Sequence, residues 1–210
     1  MQQETILWYD LETFGTNPQH DRVAQYAAIR TDRNLKEIGE PAIRYCRITD
    51  DYLPDPQACL VTGITPQDVM EKGLPEYRFI AEINGEMAQP RTCTAGYNSI
   101  RFDDEFIRNL LYRNFFDPYE REYAGGNSRW DLIDVVRAAH DLRPEGIAWP
   151  RNDEGRPSFR LEDLTRANGI AHEDAHDALA DVRATIALAR LLREKKPDLY
   201  AYAYDIRQKS

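Results

Sequence analysis

Asp10 and Glu12, in the segment Asp10-Leu11-Glu12-Thr13, close the apolar run Ile6-Leu7-Trp8-Tyr9. The run reads as a buried strand, and on a strand residues i and i+2 project from the same face. Two carboxylates held side by side repel each other and are costly to desolvate, so they call for a cation. A hard divalent metal such as Mg2+ or Mn2+ would supply one, because it takes oxygen ligands. A bare D-x-E is more often a polar strand end with two solvated acids, so the rest of the chain has to decide.

Two further segments bear on that decision. In Ala175-His176-Asp177-Ala178-Leu179-Ala180-Asp181, a histidine precedes an aspartate by five positions. A long helix starts there, with Ala178, Leu179, Val182, Ile186, Leu188, Ala189 and Leu192 on its apolar face. Asp181 falls in its first turns, where the helix dipole favours an anion, and His176 sits at the lip of the preceding loop. The second segment, Gly96-Tyr97-Asn98-Ser99-Ile100-Arg101-Phe102-Asp103, follows the strand-like run Thr92-Cys93-Thr94-Ala95. Asp103 opens a helix continuing through Phe106, Ile107, Leu110 and Leu111. Three acidic sites, each at the end of a regular element, are far more specific in combination than singly.

In that order, D-x-E-T, Asn-x3-Phe-Asp and H-D-A-x-x-D resemble the DEDDh exonucleases of the ribonuclease-H-like fold. Further segments are similar to the bacterial exodeoxyribonuclease I branch: Asp10 to Gly15, Ile43 to Tyr52, Thr62 to Gln67, Gly96 to Asn98, Asn127 to Leu132, Leu142 to Ile147 and Pro157 to Glu162. The resemblance runs through essentially all 210 residues. It implies an α/β fold, a ribonuclease-H-like mixed sheet flanked by helices. It also implies a hydrolase that shortens single-stranded DNA from its 3′ end to 5′-mononucleotides in repair and recombination, with two Mg2+ ions that Mn2+ can replace. Single-strand-binding protein is an implied partner. The family carries an SH3-like domain and a helical C-terminal domain after this one. The expectation is therefore a single exonuclease domain over residues 1–210, with partner contacts made at least partly by those other domains.

The resemblance distributes roles over the acidic residues. Asp10 would contact both ions, Glu12 and Asp181 would complete the shell of one, and Asp103 would hold the second. His176 would act as general base, since an imidazole titrates near neutral pH. For the substrate, Glu12 and Thr13 would meet the 3′-terminal nucleotide, and the ring of Phe14 or Phe102 could stack on a base. Arg160 matches the family's phosphate-contacting arginine. Arg108, Tyr119, Tyr123 and Arg137 are candidates for an outer track of phosphate and base contacts, each with an ordinary packing or surface reading beside it. Trp8, Trp130 and Trp149 read as core, and His20, His140 and His172 as plain surface residues.

A chain of 210 residues with 42% hydrophobic content can bury one sizeable core. No apolar run approaches the roughly 18 residues of a membrane span, and Met1-Gln2-Gln3-Glu4 lacks a basic secretory start. Cys46, Cys59 and Cys93 have no metal-ligand spacing, and their odd number argues against a disulfide framework. The cytoplasm is the expected compartment. A net charge of -9 is awkward for a DNA-binding protein, although bound cations would restore positive charge where the scissile phosphate sits.

The positions of the motifs follow from a coarse reading of the elements. Strands are expected over Thr5 to Tyr9, Gln25 to Thr31, Ala42 to Ile48 and Thr92 to Ala95. Short helices are expected around Pro56 to Val61 and Pro66 to Lys72, the latter capped by Thr65. Longer ones follow over Pro75 to Ala88, Asp103 to Asn114, Trp130 to Leu142, Arg160 to Ala167 and Ala178 to Glu194. Pro197 stops the last of these ahead of a helical tail. Gly125 to Asn127 and Arg151 to Gly155 read as loops. Competing functions are a DEDDh enzyme acting on short RNA or as a proofreading subunit, and a catalytically silent nucleic-acid-binding domain. The presence of all five acidic and histidine residues disfavours the silent domain.

Overall fold

The computed structural model describes residues 3–172 and 177–208. Its centre is β1, Thr5–Thr13, whose side chains alternate between two helical layers. Ile6 and Trp8 point into one cluster and Leu7, Tyr9 and Leu11 into another. That division is the period of a strand buried on both faces. β2, Val23–Thr31, pairs antiparallel with β1, and β3, Ala42–Tyr45, pairs antiparallel with β2. β4, Thr92–Gly96, runs parallel to β1, and β5, Ser128–Asp131, runs parallel to β4. The order β3-β2-β1-β4-β5 gives the mixed sheet expected from the resemblance.

Two small helices follow β3: α1, Pro56–Thr62, and α2, Pro66–Lys72. Thr65 and Asp68 close a reciprocal capping box on α2, which satisfies amide groups a helix start leaves bare. α3, Glu76–Met87, and α4, Asp103–Arg113, cover one face of the sheet. There Phe79, Ile80, Ile83, Phe106, Ile107, Leu110 and Leu111 meet Leu7, Tyr9 and Leu11. α5, Leu132–Leu142, α6, Leu161–Ala167, α7, Ala178–Lys195, and α8, Pro197–Asp205, lie on the opposite side. Val182, Ile186 and Ala189 of α7 pack there with Ile6, Trp8 and Trp130. Burying a side chain of this kind contributes about 1.5–3 kcal/mol. Trp8 and Trp130 meet edge-to-face in the core and Trp149 packs at its margin, so none of the three is an open base platform. Among the described residues no helix is long and apolar enough to cross a membrane.

Two element boundaries differ from expectation in ways that matter for the site. β1 continues through Asp10 and Glu12 to Thr13, because β2 pairs with it as far as Val23. Trp130 and Asp131, expected to open the helix that runs to Leu142, instead end the strand Ser128–Asp131; only four residues long, it shows no period of its own, and its pairing with β4 defines it. In the expected loop at Gly125 to Asn127, Gly125 and Gly126 both take left-handed backbone, at φ +65° and +80°.

Candidate active site

Asp10 and Glu12 continue the Ile6-Trp8 face of β1, the face covered by α7. Helix α7 begins at Ala178, with the Asp177 side chain accepting hydrogen bonds from the amides of Leu179 and Ala180. Asp181 therefore sits in the first turn of α7, directed at the end of β1. The carboxylate oxygens offered by Asp10, Glu12 and Asp181 lie within 4.8 Å of one another.

Asp103 approaches from the other layer. β4 pairs with β1 only as far as Trp8, so beyond that point the β1 backbone is open on the β4 side. The Leu11 amide uses the opening and donates to Asp103 Oδ1 at 3.2 Å. The turn that delivers Asp103 is organised by Asp131, at the end of β5. Its buried carboxylate accepts from the amides of Asn98, Ile100 and Ile133. Gly96 makes this turn possible, because a Cβ there would lie 2.9 Å from the Tyr9 carbonyl oxygen and 2.7 Å from Ser99 Cβ. The site thus forms at the carboxyl ends of parallel strands, where open α/β sheets leave a crevice.

The electrostatics are one-sided. Burial raises the Asp10 carboxyl well above the usual range, and the Asp103, Asp181 and Asp177 charges push it the same way. Glu12 is pushed up to about 9 by burial, then by Asp10, Asp181 and Asp177. Asp103 is raised by burial and by Asp104, against a partial offset from the Leu11 amide. Carboxylates that cannot all ionise together are a strong donor set for a divalent cation: all oxygen, closely spaced and short of positive charge. The fit holds for Asp10, Glu12 and Asp181, while Asp103 lies outside that group of three.

The remaining candidate residues are more scattered. His176 lies outside the described residues. Thr13 is buried, and its hydroxyl donates to the Gly15 carbonyl. Phe14 is fully buried against Ala24, Ile64 and Val69, so its ring cannot stack on a base; the expectation for Phe14 is corrected. Phe102 is partly exposed and leans on Phe106. Arg108 is held by Glu105 and Glu122 with its guanidinium 5.1 Å from the Tyr119 ring centre. Tyr119 and Tyr123 are exposed. Arg137 lies near Asp134 and over the Phe159 ring, and Arg160 is exposed beside Glu162. Each of these arginines is already next to an acid.

His172 departs from its surface reading. Its side chain is 3% exposed, with Nε2 2.5 Å from Asp181 Oδ1 and Nδ1 3.2 Å from Thr165 Oγ1. A lone histidine in a connecting segment carries no periodic signal, so only tertiary structure reveals the contact. His140 also departs from a plain surface role, standing edge-on to Trp149 and Phe159.

The exonuclease family, RNase_T, matches residues 7–189. The chain is 57% identical over 208 residues to exodeoxyribonuclease I of Escherichia coli (strain K12), covering 99% of this chain and 44% of that relative. The crystal structure of E. coli exonuclease I in complex with a dA16 oligonucleotide superposes with a TM-score of 0.97 at 57% identity, over 98% of this chain and 44% of the other. The zinc-bound E. coli ExoI–ssDNA complex and an ExoI/SSB-Ct complex match with TM-scores of 0.94 at 56% identity, over 97% of this chain and 43% and 44% of theirs. The chain thus spans less than half the length of these proteins.

Proposed function

Because this chain belongs to the exonuclease family and is a ribonuclease-H-like homologue of exodeoxyribonuclease I, we propose that it is a metal-dependent 3′-to-5′ exonuclease hydrolysing single-stranded DNA to 5′-mononucleotides. The observation that carries the reading is the convergence of Asp10, Glu12 and Asp181 within 4.8 Å, with Asp103 entering across the Leu11 amide. Divalent metal dependence follows from that donor set and the family; two Mg2+ ions, replaceable by Mn2+, are the specific proposal. Asp10, Glu12 and Asp181 would hold one ion, with Asp10 and Asp103 holding the other. Bound there, the cations would stabilise negative charge building on the attacking and leaving oxygens.

The protein's own groups do the rest. The carboxylates are fixed on a strand and two helix starts, so little reorganisation is needed as charge develops. His176 is proposed to take the proton from the attacking water. Phe102 would stack on a terminal base, while Tyr119 and Tyr123 offer sequence-tolerant platforms further out. Arg108, Arg137 and Arg160 would reach phosphates by exchanging an acidic neighbour for the substrate. Single-strand-binding protein, seen with exonuclease I, is the proposed protein partner.

The test uses single-stranded DNA, duplex DNA and short RNA of one sequence, labelled at either end, with Mg2+ or a chelator. A 5′-labelled single strand should give a descending ladder, and a 3′-labelled one an immediate mononucleotide, only with metal. Faster hydrolysis of short RNA would favour the oligoribonuclease-like alternative, and metal-dependent binding without cleavage would favour a silent domain. His176→Ala should retain Mn2+ binding and slow the chemical step by roughly 10²–10⁴-fold; loss of metal binding would remove His176 from the role of base.

A further inference from the structure

Thr165 on α6, His172 in the segment after it and Asp181 on α7 form a chain of hydrogen-bonding groups. Thr165 is fully buried, and its hydroxyl donates to the Glu162 carbonyl at 3.0 Å. Thr165 Oγ1 also lies 3.2 Å from His172 Nδ1, on the near side of the ring. The far nitrogen, Nε2, lies 2.5 Å from Asp181 Oδ1. Two contacts on opposite sides of the ring, inside a side chain only 3% exposed, leave the imidazole one orientation.

We propose that His172 is a positioning residue for metal binding: through Thr165 it fixes the rotation of the Asp181 carboxylate toward Asp10 and Glu12. The inference rests on the reading of Asp10, Glu12 and Asp181 as metal ligands. Asp181 stands in the first turn of α7 and is partly exposed; ordering its two side-chain torsions for a cation carries an entropy cost, and His172 is one of the groups that hold it. Holding it beforehand transfers that cost to folding, as partners behind a ligand do at metal sites. The role is distinct from that of a base, because the ring's nitrogens are turned to Thr165 and Asp181.

Calorimetric Mn2+ titration of the wild type, His172→Ala, His172→Gln, Thr165→Val and Asp181→Ala, beside thermal unfolding, tests the proposal. His172→Ala should weaken Mn2+ binding by about 10–100-fold, with hydrolysis at limiting Mn2+ falling in parallel and recovering as Mn2+ is raised. His172→Gln, which keeps an N–H donor, should recover much of the affinity, and Thr165→Val should lose less than His172→Ala does. Wild-type affinity in His172→Ala and Thr165→Val, with only the melting temperature lowered, would overturn the inference and leave the metal reading intact. Failure of the wild type itself to bind Mn2+, or undiminished binding by Asp181→Ala, would overturn both. Should His172→Ala not fold, His172→Gln and Thr165→Val decide by the same affinities.

Discussion

Asp103 and Asp104 are neighbours at the start of α4, both almost wholly buried, yet their surroundings are opposite. Asp104 turns into the molecule, where Tyr9 Oη donates to it at 2.7 Å, Arg121 Nη2 at 2.6 Å and Arg129 Nη1 at 2.9 Å. Burial pushes its carboxyl up, but Arg121, Tyr9 and Arg129 together bring it below the usual range. Asp103 turns to the end of β1, where burial and then Asp104 raise its carboxyl against a partial offset from the Leu11 amide. One sequence step therefore separates an acid that the protein's own arginines hold charged from one whose charged form its surroundings disfavour. The first is how a fold buries a charge when stability is the purpose. The second wastes stability unless a cation from solution completes it.

The largest expected effect breaks the uncompensated side of the pair. Asp10→Ala or Asp181→Ala should cut hydrolysis by more than about 10³-fold, a barrier increase above ~4 kcal/mol. The metal-free fold should be kept or made more stable by the relief of repulsion. Single-turnover rates beside urea unfolding check this, and retention of a tenth of the activity would remove either residue from the metal site. The compensated side should respond in the other currency. Asp104→Ala leaves the Arg121 guanidinium buried without its main partner and should cost about 3–5 kcal/mol of folding stability. Mn2+ affinity in the surviving folded protein should stay close to wild type. Loss of metal binding at unchanged stability would reverse the roles assigned to the two aspartates.

The smallest expected effect concerns salt. Arg108, Arg137 and Arg160 each sit beside an acid, so a phosphate must displace a carboxylate before its counterions are released. Binding of a single-stranded oligonucleotide should fall with salt at a log-log slope of about −2 to −3, at ~0.7 per phosphate. A slope near zero in a fluorescence titration would exclude the arginine track, and a much steeper one would show that it is more open than these pairs indicate.

What could be read from the sequence follows the same division between local and tertiary signals. Asp10 and Glu12 on one face of a strand, Asp181 in the first turn of a helix and Asp103 at the start of another were legible because period and capping are local. The capping box at Thr65 was legible for the same reason. The strand at Ser128–Asp131 was not, because a four-residue strand is defined by its neighbour. Phe14 was misplaced because an aromatic ring after a catalytic motif looks the same in sequence whether it faces substrate or packs behind it. The arginines were visible, but not the acids beside them. His172 was invisible as a partner of Asp181, since nine positions and a change of element separate the two.

The pH dependence of metal-free stability, set beside the same curve with saturating Mn2+, tests most directly whether the protein leaves this cluster uncompensated. Glu12 moves from an ordinary 4.5 to about 9 on folding, so the native state holds a proton that the unfolded state has released between those values. Stability should then be greatest below the lower value and fall as pH rises toward the upper one, by up to about 1.4 kcal/mol per pH unit for one such proton. Saturating Mn2+ should flatten or reverse the slope above neutral pH, because the cation binds the deprotonated carboxylates. Metal-free stability that stays level or rises from pH 5 to 9, unchanged by Mn2+, would contradict the account.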